Sequence, residues 1–212
     1  MALDGRNTYT MVTGQMIDRV RYVLGVLTVV VAPSGLVFWF VIHLWARRWR
    51  ELGAARTYAI VLPPLIVLIA LLFRVRDRLL GADRGASWPL IAVALGLYGA
   101  STWLEFRCWR QLSIRTMVGI PEVSRAGPAA GKMLSDGVYQ VVRHPRYLSA
   151  GIGVIGNALL VNRVGVYAMI AIIFPIGFVM LAFEERDLVD RYGDAYRRYQ
   201  RDVPRIIPRW RR

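Results

Sequence analysis

The sequence predicts an all-α integral membrane protein with about five transmembrane helices, the last two forming a hairpin, and a C-terminal amphipathic helix at the interface. Three observations carry that prediction. Apolar residues make up 56% of the 212-residue chain, too many for an ordinary soluble domain. They gather in runs long enough to cross about 30 Å of hydrocarbon as helix. Arginine and tryptophan cluster where those runs stop, as the positive-inside rule and the aromatic belt require.

The first run covers residues 22–46, with Pro33, Ser34 and Gly35 at its centre, where neighbouring helices can satisfy carbonyls freed by a kink. His43 lies near its end and reads as an interfacial or packing histidine. Arg47, Arg48 and Arg50 follow, with Trp45 and Trp49 beside them. The second run, 57–73, carries Pro63-Pro64, which predicts a kink or a late start. The third, 87–104, offers Gly96, Gly99, Ala100 and Ser101 as a small-residue face for close helix approach. From Glu105 to Asp136 hydropathy falls, and Pro121, Gly127, Pro128 and Gly131 break any long helix, leaving one short interfacial helix and loop. Runs at 148–161 and 164–183 flank Asn162-Arg163 and predict the hairpin. Beyond Glu184, Leu188, Tyr192, Tyr196 and Tyr199 recur at helical spacing opposite Asp187, Arg191, Asp194 and Arg198, which predicts a helix lying along the membrane surface.

The chain reads as a single membrane domain over 1–212, with transmembrane helices in 1–104 and a catalytic core in 105–212. The net charge is +14, but the basic residues sit between apolar runs and in the tail, so membrane lipid headgroups and not nucleic acid are the expected anionic partners. On five spans, the 47–56 loop, the 105–147 segment and the C-terminus put 20 Lys and Arg on one side and leave 8 on the other. The richer side is expected to be cytoplasmic. Cys108 is the single cysteine and the two histidines are far apart, which excludes an intrachain disulfide and the usual zinc spacings. The N-terminus lacks the basic start and short apolar core of a signal peptide, so the first span is expected to act as its own insertion signal.

Two stretches carry chemistry. Residues 137–147, GVYQVVRHPRY, set Arg143, His144, Arg146, Tyr139 and Tyr147 between apolar segments, and Glu184-Glu185 closes a long apolar run. Ionisable groups at a membrane edge are costly unless paired, which makes both stretches candidates for one polar pocket, meeting across a hollow. A carboxylate there suits an ammonium, and tyrosines suit a flat heterocycle. The plainer alternatives are a solvated helix end at the acids, a loop-to-span junction at His144-Pro145, and lipid phosphate contacts for Arg143 and Arg146.

Residues 137–147 with Glu184-Glu185, then Leu188, Tyr192-Gly193, Tyr196, Tyr199 and Val203-Pro204, resemble the C-terminal core of the isoprenylcysteine carboxyl methyltransferase and phospholipid methyltransferase superfamily. The resemblance covers roughly the last third of the chain. It implies a helical membrane methyltransferase that uses S-adenosyl-L-methionine, reached from the cytosol, with a lipophilic small-molecule or lipidated acceptor entering from the bilayer. Carried over by position, Gly131, Lys132, Met133, Leu134, Tyr139, His144, Pro145 and Tyr147 would contact the cofactor. Glu184 would take its ammonium, and Glu185 would orient the site, meet the acceptor, or serve as base for an amine. In the isoprenylcysteine branch an arginine four residues ahead of the first glutamate is expected to hold the acceptor carboxylate. Here that position is Met180, and Arg146 is the candidate substitute. Membrane sterol reductases, which bind NADPH, have a similar ending, with VPRIIP as its counterpart here, but normally need additional spans. A scaffold or transporter is the non-enzymatic alternative, although the chain shows no paired halves.

Overall fold

A computed structural model describes residues 5–112 and 133–209. It is helical, and its one strand-like feature among the described residues is an isolated backbone bridge between Asp83 and Arg163. The elements are α1 (Gly5–Leu44), α2 (Ala46–Leu52), α3 (Ala54–Arg74), α4 (Arg76–Leu80), α5 (Trp88–Trp109), a 3-10 turn (Gly137–Gln140), α6 (Pro145–Val161), α7 (Val164–Tyr192) and α8 (Asp194–Asp202). Four of them contain segments long and apolar enough to cross a membrane: Val12–Leu44, Ala54–Arg74, Trp88–Trp109 and Val164–Tyr192. At 17 residues, α6 is about 25 Å long and forms the short arm of the expected hairpin. The protein is an all-α integral membrane protein.

Helices α1 and α3 continue through their prolines, and α3 starts at Ala54, ahead of the expected boundary. Large apolar side chains such as Ile66, Leu71, Val93 and Phe178 face outward, as lipid contact demands. The buried core is small and crosses the chain: Val29 and Val30 of α1, Leu80 of α4, Ala158 and Val161 of α6, and Val166 of α7.

Helices α5 and α6 pack closely, but not on the face the sequence suggested. Gly96 and Gly99 have open space around them, whereas a Cβ on Gly156 would lie 3.1 Å from Leu97 and one on Gly153 would lie 2.8 Å from the Ser101 hydroxyl. Ser101 and Ser149 seal the seam, each hydroxyl donating to the other's carbonyl at 2.9 Å. Only Ser101 of the predicted small face is used, because the close approach is supplied by glycines of the partner helix.

The two ends of the bundle are tied by charge. At one end Arg21, 1% exposed, donates to Asp83 and to the Val161 carbonyl at 2.9 Å, and Arg163 reaches Asp83 at 2.7 Å. At the other end Arg47 pairs with Asp190 at 2.7 Å and Arg50 with Asp187 at 2.8 Å. These last pairs explain a correction. The chain after Glu184 is not a separate surface helix, because α7 continues to Tyr192 with its acids matched by α2. The helix ends where Gly193 turns into a positive φ of 57°, and α8 follows. The short helix expected between Glu105 and Asp136 falls largely in residues 113–132, which lie outside the described part; ahead of them α5 runs to Trp109.

Candidate functional site

The polar end is built from a turn, two helices and the C-terminal strap. Gly137, at φ 58°, opens the 3-10 turn, and an ideal Cβ there would collide with the Gln111 amide at 1.9 Å. Pro145 begins α6 at the position where a missing N–H costs nothing, leaving His144 as the non-helical residue before it, at φ −122° and ψ 64°. That geometry exposes two backbone amides. The Arg143 N–H donates to the Pro204 carbonyl at 2.8 Å and the His144 N–H to the Arg205 carbonyl at 3.0 Å. The Tyr199 hydroxyl donates to the Tyr139 carbonyl at 2.6 Å. The Val-Pro strap therefore fixes the histidine-proline bend.

Glu185 is the hub. It is 4% exposed, and its Oε1 accepts from Arg143 Nε at 2.9 Å and lies 3.1 Å from His144 Nε2. Its Oε2 is reached by Arg205 and, at 3.4 Å, by Gln200 Nε2. Arg143 also donates to the carbonyls of Gln200, at 2.8 Å, and Val203. Two guanidinium groups, an imidazole and an amide thus converge on one carboxylate, which is what a buried charge needs to be tolerated.

Glu184 is different. It accepts from the Tyr147 hydroxyl at 2.5 Å, and His144 Nδ1 stands 3.9 Å away. Among the described residues no guanidinium lies within 4.0 Å of it, and its side chain keeps 22% exposure. His144, 5% exposed, therefore sits between the two acids, edge-on to Tyr147 with ring centroids 5.7 Å apart. The histidine-proline bend and the paired acids meet by direct contact, so the expected hollow between them is closed by these side chains. Open space lies on the other flank of Glu185, in a cleft of about 320 Å³ bordered by Ala182, Arg186, Val189, Gln200 and Arg205. Deeper in, the Tyr196 hydroxyl is buried without a hydrogen-bond partner, its ring edge-on to Tyr199. Burial raises the phenols of Tyr139 and Tyr196 well above their ordinary range and pushes Tyr199 up to about 12, so all three stay protonated at neutral pH.

Of the residues singled out from sequence, His144, Pro145, Tyr147, Glu184 and Glu185 come together, and Tyr139 joins them through its backbone. Met133 and Leu134 are half-buried on the approach to the turn, while Gly131 and Lys132 lie outside the described residues. Arg146 turns elsewhere: its Nε is 3.5 Å from Glu105 of α5. Sequence reasoning missed Arg143 as the staple and did not single out Arg205, Gln200 or the Tyr199 hydroxyl. The available signal was the Val203-Pro204 pair, whose carbonyl-rich extended backbone needed donors. No group of histidine, cysteine or acidic residues suited to a metal is present among the described residues.

The residues fit a cofactor with a free ammonium. Among the described residues Glu184 offers an acceptor without a guanidinium partner, and the Tyr196 hydroxyl, near the same cluster, has no hydrogen-bond partner.

Comparison with known proteins agrees in kind. A family model described as phospholipid methyltransferase matches residues 90–195. The chain is similar to methanethiol S-methyltransferase 1 of Bradyrhizobium diazoefficiens, 39% identical over 75 residues, which is 35% of this chain and 25% of that protein. It is similar to protein-S-isoprenylcysteine O-methyltransferase of Schizosaccharomyces pombe, 32% identical over 77 residues, 36% of this chain and 33% of the relative. The matched stretch thus spans a third or less of either relative's length. No solved structure matches the chain. The family match covers half of the sequence and contains the bend and both acids, and the chain belongs to the phospholipid methyltransferase family.

Proposed function

We propose that this protein is an S-adenosyl-L-methionine-dependent methyltransferase acting on a lipophilic acceptor that reaches the polar end of the bundle from the bilayer. The observation that carries the reading is the contrast between the acids: among the described residues Glu185 is matched by two guanidinium groups, an imidazole and an amide, and Glu184 by a phenol and a distant imidazole. When bound, the cofactor supplies an electrophilic methyl on a sulfonium. Glu184 takes its ammonium, with Tyr147 released to donate elsewhere, and His144, Pro145 and Tyr139 form the wall on the bend. Met133 and Leu134 extend that wall, and Gly131 and Lys132, given the same role by the resemblance, lie outside the described residues. Methyl transfer gains chiefly from holding donor and acceptor in line and from excluding water, and the apolar residues around the bend serve both ends.

In this reading Glu185 is a positioning residue. Its oxygens are engaged by Arg143, His144, Arg205 and Gln200, and it fixes the imidazole facing Glu184. Arg146 balances Glu105 instead of anchoring an acceptor. The relatives' names give two acceptor classes, a small thiol and a protein-linked isoprenylcysteine. Met180, 3% exposed, offers a carboxylate acceptor nothing, so an uncharged acceptor is favoured. The excess of Lys and Arg at the site end supports a cytoplasmic orientation for it.

The test is calorimetry in detergent. Glu184→Gln lowers S-adenosylmethionine affinity by about 10-fold or more, as loss of a charge-assisted contact requires. Unchanged affinity refutes the assignment of the ammonium. A thermal shift with NADPH and none with S-adenosylmethionine would replace the reading with the reductase one.

A further inference from the structure

At its site end α1 carries an imidazole that the assignments above do not use. Arg21, Gly25 and Thr28 form one stripe of α1, and that stripe packs on α6. Arg21 donates to the Val161 carbonyl, Gly25 lies against the Val161 side chain, and Asn157 donates to Thr28. Continued in steps of three and four, the stripe passes Ala32, Gly35 and Trp39 and ends at His43. Phe40, one turn before His43, meets Phe183 edge-on at 5.8 Å, and Phe183 immediately precedes Glu184. One turn after His43, Arg47 meets Asp190 of α7. His43 thus lies between the Phe40–Phe183 contact of α1 with α7 and the Arg47–Asp190 pair of α2 with α7, level with the turn of α7 that follows Glu184, and helical spacing puts it on the side of α1 that carries the α6 contacts. It is 8% exposed and stacked on Trp39 at 5.6 Å, and its Nδ1 is buried with no hydrogen-bond partner among the described residues. An unpaired buried ring nitrogen is destabilising, because the water it gives up is not replaced. A group of that kind at a functional end calls for a ligand to complete it.

On the methyl-transfer reading, we propose that His43 contacts the methyl acceptor and takes its proton, and that the acceptor is a thiol or an amine. Two observations narrow the class. Met180 leaves a carboxylate acceptor without a cation, and Glu185, the carboxylate the resemblance offered as a base, has both oxygens engaged. In the step, the acceptor S–H or N–H bond breaks and its proton passes to Nδ1. A lone pair of the acceptor sulfur or nitrogen forms the new bond to the methyl carbon, and the electrons of the broken S–H or N–H bond stay on that atom. The electrons of the methyl–sulfur bond return to that sulfur, leaving a neutral thioether. His43 ends as imidazolium and gives its proton to solvent when the site opens.

The chain has two histidines, so ring-nitrogen NMR of the full-length protein in detergent resolves His43 once His43→Gln has identified its signal. Octanethiol, added without any methyl donor, moves the His43 Nδ1 resonance. His43→Gln and His43→Phe both retain S-adenosylmethionine affinity by calorimetry. Both lower single-turnover methylation of octanethiol by about 100-fold or more, within the range of general-base catalysis. Both lower methylation of nitrothiophenol, which is already ionised and needs no base, by a much smaller factor than methylation of octanethiol. An unmoved resonance, or equal losses with the two thiols, overturns the His43 assignment while the cofactor site stands. Failure of the wild type to bind S-adenosylmethionine overturns the site reading and this assignment with it.

Discussion

Arg143 makes the sharpest test of how the site is held. Replacing it with methionine keeps a flexible, unbranched apolar stem and removes every side-chain donor. The wild-type residue and Glu185 are 9% and 5% exposed, and their guanidinium–carboxylate contact is 2.8 Å. Removing one member of such a buried pair costs about 3–5 kcal/mol. Glu185 keeps His144, Arg205 and Gln200 in the variant, which argues for the lower end, about 3 kcal/mol. The carbonyls of Gln200 and Val203 lose their donor at the same time. The strap, not the bundle, bears the loss. Hydrogen exchange should therefore quicken by about 100-fold at the amides of residues 143 and 144, which are bonded to Pro204 and Arg205, and at Val203, bonded to Tyr199. Amides of Val29 and Val161 at the far end should keep their protection. Uniform quickening along the chain, or none at the strap, would refute the staple argument.

Other consequences are as direct. Gly165→Ala should lower the thermal midpoint in detergent by an amount at or above the usual overpacking cost of about 1–3 kcal/mol, since its Cβ would lie 1.7 Å from the Leu79 carbonyl oxygen. Gly177→Ala, with nothing nearby, is the matched control and should not lower it. The Tyr199 phenol is raised by burial to about 12. Its contribution is present below the ordinary phenol value of about 10 and is lost as pH rises through 12. Ultraviolet titration of Tyr199→Phe should lack one late-ionising phenol, and the strap should loosen at high pH in the wild type. For Asp83, burial raises the carboxyl, but the Gly85 amide, Arg21 and Arg163 together bring it below 3.8. Its contribution is present above that value and lost as pH falls below it, so Asp83→Asn should blunt the acid end of the unfolding profile.

The sequence made the spans legible because membrane insertion is written in composition: apolar runs and arginine stops need no tertiary knowledge. Helix ends were harder. Glu184 looked like the limit of a helix because hydropathy drops there, yet Arg47 and Arg50, far away in sequence, neutralise the acids that follow and let α7 continue. The small-residue face failed similarly, since Gly96 and Gly99 look the same in sequence whether they meet a helix or lipid. In the site, His144, Tyr147 and Glu184 were identifiable by residue type and proximity to a span. Arg143 was not, because its role depends on the carbonyls of residues 200 and 203, which only the folded strap brings within reach.

The shared core of Val29, Leu80, Ala158 and Val166 has a practical corollary for anyone wishing to recombine this chain with a relative. A crossover near residue 104 separates residues that fill one another's voids, and the Arg21–Asp83–Arg163 knot would be split between parents. Grafts that keep the first helix with the final hairpin, and exchange α3 instead, preserve both.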